Sequence, residues 1–155
     1  MGKVIDKFID EEFFLSNFYI NPFKWNGKEY KSVEHAYQAS KADNESEHDW
    51  IRLMDSAGKA KRNGGKVRLR KDWESIKENI MLELLRIKFS DPELKKKLKD
   101  TKNYELIEGN YWHDSEWGNC TCQKCKDIEG QNKLGKLLMR VRQEIIDFNH
   151  LVDDE

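Results

Sequence analysis

The sequence lacks the features that mark exported or membrane-inserted proteins. It has two prolines, and its three cysteines all lie between residues 120 and 125. An odd, bunched set of cysteines does not provide the disulfide framework of a small secreted protein. No stretch approaches the ~18 apolar residues of a membrane span, and no signal-peptide pattern opens the chain. We therefore expect a cytoplasmic protein with no membrane partner.

An excess of charge of one sign is also missing. The chain carries 28 Lys and Arg against 29 Asp and Glu, for a formal net charge of -1. Such a balance disfavours a protein that coats nucleic acid through bulk charge, so any polyanion site must be local. The 155 residues contain no repeat, linker or composition shift. We predict one domain across residues 1–155.

The hydrophobic patterning predicts an α+β fold that is predominantly helical, with a small N-terminal antiparallel sheet. Asn26-Gly27 between aromatic and β-branched runs indicates a two-residue hairpin turn. Ser32 is placed to cap a helix that begins at Val33. Helical spacing of apolar residues predicts further segments, and residues 104–108 favour a short strand. The predicted helices are residues 45–55, with Trp50, Ile51 and Met54 inward, residues 72–90, a helix after Pro92, and a C-terminal helix spanning Leu134 to Phe148.

A glycine-broken cationic stretch, SAGKAKRNGGKVRLRKD, is predicted to be a loop. Its residues 59–71 hold seven positive charges around Gly64-Gly65. Glycine lets backbone N–H groups approach an anion closely, so the stretch could bind the phosphate of a nucleotide-like ligand. A solvated loop that balances acids elsewhere is an equally good interpretation.

A histidine and the three cysteines could form a metal site. His113, Cys120, Cys122 and Cys125 offer a Cys3His set for tetrahedral zinc. The spacing is irregular, however, because structural zinc sites usually combine two separated ligand pairs. The spacing therefore favours an exposed loop with incidental thiols, and zinc is the weaker alternative.

Two acids could carry chemistry but also have ordinary explanations. Glu34 is at the second position of its predicted helix, where the helix dipole stabilises a carboxylate. Asp114 lies between two tryptophans and could simply cap a turn. Neither acid identifies an active site by itself.

Eight motifs, in order, resemble the NADAR, or YbiA-like, family. They are FFLSNFY (13–19), SVEHAYQASKA (32–42), AKR (60–62), DW (72–73), KF (88–89), LIEGN (106–110), WG (117–118) and NKLGKLLMRVR (132–142). The resemblance covers nearly the whole chain and implies a single α+β domain without a cofactor. It also implies an N-glycosidase, acting on phosphorylated ribosylated intermediates of riboflavin biosynthesis or removing ADP-ribose from guanine in nucleic acid.

The resemblance assigns roles to particular positions. Glu34, Trp73 and Asp114 match the family's catalytic group. Cleaving a ribosyl C–N bond builds positive charge on the sugar, which one carboxylate can stabilise while another activates water. Which acid plays which part is open. The substrate-binding candidates are Asn17 and Gln38 for ribose or base, Lys41, Lys61 and Arg62 for phosphate, and Trp117 as a pocket wall.

Other interpretations of the same residues remain open. The pocket could belong to a non-catalytic module that binds ADP-ribose or NAD, and the cysteines could belong to a zinc-dependent nucleic-acid-binding protein. His113 could protonate a leaving base or be an ordinary surface histidine. One departure from the family is Lys102, where glycine is more usual.

Overall fold

A computed structural model describes residues 2–153 of the protein. Residues 2–153 form an α+β fold, mainly helical, with three two-stranded sheets. The strands are β1 (Val4–Ile5), β2 (Phe23–Trp25), β3 (Lys28–Tyr30), β4 (Glu105–Leu106), β5 (Gly109–Asn110) and β6 (Asn119–Cys120). The helices are α1 (Val33–Ala39), α2 (Glu45–Arg52), α3 (Ala57–Gly64), α4 (Trp73–Lys88), α5 (Pro92–Lys99) and α6 (Lys133–Asp153).

The contacts divide the described residues into two compact units. Residues 17–88 form one, which we call the 17–88 unit, and the described residues before and after them form the terminal unit. No helix in residues 2–153 combines the length and apolar character needed to cross a membrane.

The N-terminal hairpin of the 17–88 unit confirms the sequence prediction. Strands β2 and β3 pair antiparallel, and Asn26 and Gly27 between them have φ values of 52° and 80°. Two consecutive residues with positive φ give the type I′ turn whose twist matches that of the flanking strands. The ring centroids of Trp25 and Tyr30 lie 5.7 Å apart, and both side chains are buried.

Helix α1 is the centre of the 17–88 unit. It begins as predicted, because Ser32 Oγ accepts a 3.2 Å hydrogen bond from the backbone N–H of His35. Every residue of α1 is buried, and the helix packs against α2, α3 and α4. His35 itself is fully buried within hydrogen-bonding distance of Ser32 Oγ and the Met54 carbonyl, and burial lowers its pKa. It is a packing residue.

The prediction that residues 56–72 form a loop was wrong for residues 57–64, which form α3, and correct for residues 65–72. Ser56 Oγ accepts a 3.2 Å hydrogen bond from the N–H of Lys59 and caps α3. The buried face of α3 consists of Ala57, Ala60 and Gly64, whose small side chains let its backbone approach α1. The glycine pair terminates this helix and does not interrupt it.

The other predicted helices of this unit are confirmed, although α2 ends at Arg52 and not at residue 55 and one of its side chains faces outward. Helix α2 has Ile51 fully buried, but Trp50, predicted to face inward, is 46% exposed. Helical periodicity located the helix but not the side of it on which the indole lies. Helix α4 matches the predicted central helix and buries Met81, Leu84 and Leu85.

The terminal unit contains two parallel strand pairs in addition to its helices. Strand β1 pairs with β4 and β5 pairs with β6. The predicted helix after Pro92 is confirmed as α5, and the Asp91 side chain caps it. On α6 Leu134 and Leu138 are buried, whereas Phe148, predicted to lie on its apolar face, is 63% exposed. Lys102 has a φ of 53°, so the lysine adopts the left-handed conformation that glycine adopts most easily.

Candidate active site

A buried carboxylate and a buried amide face each other on α1. Glu34 is 6% exposed and Gln38 5% exposed, and Gln38 Nε2 donates a 2.8 Å hydrogen bond to Glu34 Oε1. The backbone N–H of Glu34 donates a 3.0 Å hydrogen bond to the carbonyl of Asn17, which ties the start of α1 to the FFLSNFY segment. The structure thus brings together three predicted site residues that are up to 21 positions apart in the sequence.

Two of these residues carry buried acceptor atoms without a donor. Within the described residues, Asn17 Oδ1 and Gln38 Oε1 have no hydrogen-bond partner. The orientation of the Gln38 amide is fixed because its NH2 group must face the carboxylate of Glu34. A buried acceptor that lacks a donor costs about 1–3 kcal/mol, so such atoms call for an explanation. Within the described residues, both oxygens are enclosed by protein and lack a donor, so a ligand's hydroxyl or N–H group reaches them only if neighbouring groups move.

Gly64 allows Gln38 to occupy its position. A Cβ atom at residue 64 would lie 2.0 Å from Gln38 Oε1 and 2.8 Å from its Cδ. The backbone of α3 therefore lies directly against the Gln38 amide. Any side chain at this position would displace the group that holds Glu34.

Aromatic and cationic groups continue along the same side of α1. The Trp73 ring is 4% exposed and lies 5.1 Å from the ring of Tyr37, tilted by 57°. Lys41 Nζ lies 5.6 Å from the centroid of the Tyr37 ring. Residues 34, 37 and 38 have the spacing of neighbours on one helix face, and Lys41 follows just after the C-cap of α1. Tyr37, which was not among the predicted site residues, lies next to both Trp73 and Lys41.

The predicted phosphate-binding residues of α3 are exposed. Lys61 Nζ lies 5.7 Å from the ring of Phe18, which neighbours Asn17 in the sequence. Arg62 makes no hydrogen bond or ion pair with the described residues. Its guanidinium can therefore approach an external anion without breaking an internal contact.

Much of the remaining positive charge in residues 59–71 is already neutralised. Three of the seven cations form ion pairs with acids in the same unit, at N–O distances of 2.7–3.1 Å. These pairs are Lys59–Asp55, Arg68–Asp43 and Arg70–Asp72. The stretch is therefore less of a continuous anion track than its composition predicts.

Asp114, in the terminal unit, does cap a turn. Its Oδ1 accepts hydrogen bonds from the backbone N–H groups of Glu116, at 3.1 Å, and Trp117, at 2.9 Å. Its Oδ2 receives none from the described part of the chain. One oxygen therefore orients the carboxylate, and the other faces no internal donor. The prediction that Asp114 caps a turn is therefore correct. Because only Oδ1 is used for the cap, Oδ2 is available for a second role.

Asn110 is a residue that sequence reasoning missed. It is 4% exposed, and its amide donates a 2.8 Å hydrogen bond to the Asp114 carbonyl and accepts one of 3.2 Å from the Asp114 N–H. Trp117 is half-buried, and Lys133 Nζ lies 6.0 Å from its ring. The LIEGN motif contained Asn110, but its side-chain contacts with Asp114 depend on the conformation of the loop that follows β5.

Lys88 was also missed. It is 2% exposed at the end of α4, its Nζ lies 5.5 Å from the ring of Tyr19, and burial lowers the pKa of its ammonium to about 7. Buried lysines with lowered pKa values are common at functional sites. The KF motif marked the position, but its helical spacing placed it among packing residues.

His113 and the three cysteines are brought together in the terminal unit. Their ligand atoms all lie within 4.8 Å of one another. Burial opposes ionisation of Cys120, but hydrogen bonds from Cys122 and Cys125 outweigh it and lower the pKa of the Cys120 thiol to about 6. The hydrogen bond with Cys120, together with burial, raises the pKa of Cys125 to about 12.

An open groove of 680 Å³ lies elsewhere in the 17–88 unit. Its lining includes Lys28, Tyr30, His48 and Arg70, and none of the predicted site residues. Tyr30 Oη lies 2.6 Å from His48 Nε2, and burial lowers the pKa of His48. These two side chains satisfy each other within the protein, and the groove contains no predicted site residue. We therefore do not assign the substrate to it.

Comparison with known proteins identifies the class. A family model described as the NADAR domain matches residues 6–146. N-glycosidase YbiA of Escherichia coli (strain K12) is 38% identical over 134 residues, which cover 84% of this chain and 80% of that protein. The NMR structure of E. coli YbiA superposes with a TM-score of 0.82 at 34% identity, covering 96% of this chain and 89% of that one.

A plant protein extends the comparison. The chloroplastic riboflavin biosynthesis protein PYRR of Zea mays is 34% identical over 128 residues, which cover 74% of this chain but 20% of that longer protein. The chain belongs to the NADAR family and is a YbiA-like N-glycosidase, as its motifs indicated.

Proposed function

We propose that this N-glycosidase hydrolyses the C–N glycosidic bond of a phosphorylated ribosylated intermediate of riboflavin biosynthesis. The observation that carries the proposal is the buried Glu34 carboxylate held by Gln38 and accompanied by two buried amide oxygens without internal donors. Ribose hydroxyls are donors of the kind those oxygens require. The name of the similar maize protein supports the riboflavin pathway as the source of the substrate.

Glu34 and Asp114 share the chemistry in this proposal. The C1′–N bond breaks with its electron pair going to the base nitrogen, and the sugar gains oxocarbenium-like positive charge. One carboxylate stabilises that charge, while the other takes a proton from the water whose oxygen bonds to C1′. The departing base gains a proton, so the products are the free base and a ribose phosphate. Trp73 contributes an apolar wall that excludes bulk water.

The remaining predicted residues bind the substrate. Asn17 and Gln38 accept hydrogen bonds from the ribose or the base. Lys41, Lys61 and Arg62 attract the phosphate, and Arg62 offers a bidentate guanidinium. Trp117 lies three residues after Asp114 and provides a second aromatic surface for the base.

Removal of ADP-ribose from guanine in nucleic acid is the alternative substrate assignment. It uses the same bond type and requires a track for the nucleic-acid backbone. The ion pairs of Lys59, Arg68 and Arg70 reduce the charge that residues 59–71 offer to such a track. We therefore favour the small molecule.

Mass spectrometry of reaction products tests the proposal. The protein is incubated separately with ribosylated riboflavin precursors and with an oligonucleotide that carries ADP-ribosyl-guanine. We expect a free base and ribose 5-phosphate from a precursor. Free ADP-ribose from the oligonucleotide alone would overturn the small-molecule assignment, and binding of ADP-ribose without any product would indicate a non-catalytic module.

A further inference from the structure

Four side chains of the terminal unit converge on one point. None of them belongs to the groups assigned to glycosidic cleavage. His113 Nδ1 lies 3.3 Å from Cys122 Sγ, 3.4 Å from Cys125 Sγ and 3.9 Å from Cys120 Sγ. Cys120 and Cys125 are buried, Cys122 is half-buried and His113 is exposed. One imidazole nitrogen therefore faces three sulfur atoms at once.

Hydrogen bonding does not account for this arrangement. A ring nitrogen either donates one proton or accepts one at its single lone pair, so it cannot hydrogen-bond three sulfurs together. A disulfide would use two of the thiols and leave the third beside the imidazole, and all three cysteines are free. A metal ion, which accepts an electron pair from each of the four atoms, explains the convergence.

The spacing of the four atoms matches a tetrahedral zinc shell. With Zn–S bonds of about 2.3 Å and Zn–N bonds of about 2.0–2.1 Å, ideal tetrahedral angles put sulfur and nitrogen ligands about 3.6 Å apart. The three nitrogen–sulfur distances, 3.3, 3.4 and 3.9 Å, bracket that value. All six ligand–ligand separations are within 4.8 Å, so small side-chain adjustments complete the shell.

The fold of the segment holds these ligands in place. Parallel pairing of β5 with β6 positions Cys120, and the N–H of Thr121 donates a 2.7 Å hydrogen bond to the Asn110 carbonyl. A single turn of 3-10 helix follows, in which the N–H of Cys125 donates to the Cys122 carbonyl at 3.0 Å. His113 has a φ of 72°, an uncommon conformation for a residue other than glycine, which persists only where other contacts over-determine it.

We infer that His113, Cys120, Cys122 and Cys125 bind one Zn²⁺ ion in a closed structural site that stabilises the loop carrying Asp114. Four protein ligands leave no open position, so the ion takes no part in hydrolysis. Binding requires three thiolates and a neutral imidazole, so it releases the protons that these four groups still carry. The ion joins His113, next to Asp114, to the 3-10 turn at Cys125.

Metal analysis of the full-length protein tests this inference. Protein expressed with zinc and purified under reducing conditions is analysed by inductively coupled plasma mass spectrometry. We expect about one zinc per chain in the wild type, and loss of most of it in Cys122→Ser because three ligands bind far more weakly than four. Lys124→Ala is the matched control, since Lys124 is exposed between two ligands and is not one itself. It should retain the zinc.

X-ray absorption at the zinc edge of the wild-type protein tests the inference even if the serine variant fails to fold. The wild-type shell should fit three sulfurs and one nitrogen at about 2.3 Å and 2.0–2.1 Å. A shell of oxygen and nitrogen alone, or a reduced wild-type chain that takes up no zinc from an equimolar solution, would overturn the inference. Neither measurement uses glycosidase activity, so the inference and the proposed function fail independently.

Discussion

Gln38 Nε2 donates a 2.8 Å hydrogen bond to Glu34 Oε1 one helical turn away, and both side chains are almost completely buried. Burying a carboxylate is costly unless donors surround it, so the amide is a condition for the charge at this position. The same amide turns its own oxygen toward no internal donor. The pair therefore combines a fixed anion with an acceptor oxygen that no described residue satisfies.

The close approach of α3 to this pair gives a first prediction. Gly64→Ala adds a Cβ 2.0 Å from Gln38 Oε1, so the amide must move and its support of Glu34 weakens. We expect a loss of about 1–3 kcal/mol in the free energy of unfolding, measured by urea denaturation, together with lower turnover. Gly65→Ala is the control, because a Cβ there meets nothing within 4 Å and φ is -76°. Equal effects of the two substitutions would contradict this account.

Asp114 yields a prediction that separates its two roles. Asp114→Asn keeps the oxygen that accepts the Glu116 and Trp117 N–H groups but removes the charge. Turnover should fall by about two orders of magnitude or more while thermal stability stays close to wild type. Asp114→Ala should lose turnover and also about 1–2 kcal/mol of stability, because both N–H groups lose their acceptor. Wild-type turnover in Asp114→Asn would show that Asp114 only caps a turn and takes no part in catalysis.

Arg62 gives a prediction about the phosphate. Its guanidinium is exposed and has no hydrogen-bond or ion-pair partner in residues 2–153. Arg62→Gln should raise KM for a phosphorylated substrate about tenfold or more and leave KM for the dephosphorylated nucleoside unchanged, since it removes a charge-assisted contact. Steady-state kinetics on the two substrates measure the difference. Arg68→Gln, which removes a cation already paired with Asp43, should change neither.

Lys88 predicts a pH dependence of stability. Its pKa is about 7 in the folded protein, below the usual 10.5, so between these values the unfolded chain binds more protons. Stability from this group therefore rises with pH from about 7 towards 10.5, and below pH 7 the full cost of the buried charge remains.

The comparison variant is Lys88→Met. The urea midpoint of the wild type should rise relative to that of Lys88→Met between pH 7 and pH 9.5. Lys71→Met, at an exposed position, should show no such relative change. Parallel pH curves for the wild type and Lys88→Met would rule out a lowered pKa.

Local signals predicted much of the secondary structure. Asn26-Gly27 specifies its turn through positive φ, and Ser32 and Asp91 cap helices through contacts three residues away. These interactions need no tertiary partner. Helix α3 was missed because its glycines and charges resemble a loop until the packing of its alanine face on α1 is known.

The sequence predicted which positions form the candidate site, but not how deeply they are buried or which hydrogen bonds they make. Motif order identified Asn17, Glu34 and Gln38, which the fold does bring together. The burial of Lys88 and the unpaired oxygens depend on packing, which no local pattern encodes. The irregular spacing of the cysteines concealed their convergence with His113, because parallel pairing of β5 with β6 creates it. The catalytic roles, the single domain and the cytoplasmic location stay predictions.

The most direct test of the central claim is turnover of Glu34→Gln with a ribosylated riboflavin precursor. The substitution keeps one oxygen for the Gln38 hydrogen bond, removes the negative charge and replaces the other oxygen with an NH2 group of similar size. Folding and substrate affinity, measured by calorimetry, should therefore persist. We predict that release of the free base falls by about two orders of magnitude or more. Release at the wild-type rate from a correctly folded Glu34→Gln protein would contradict the account.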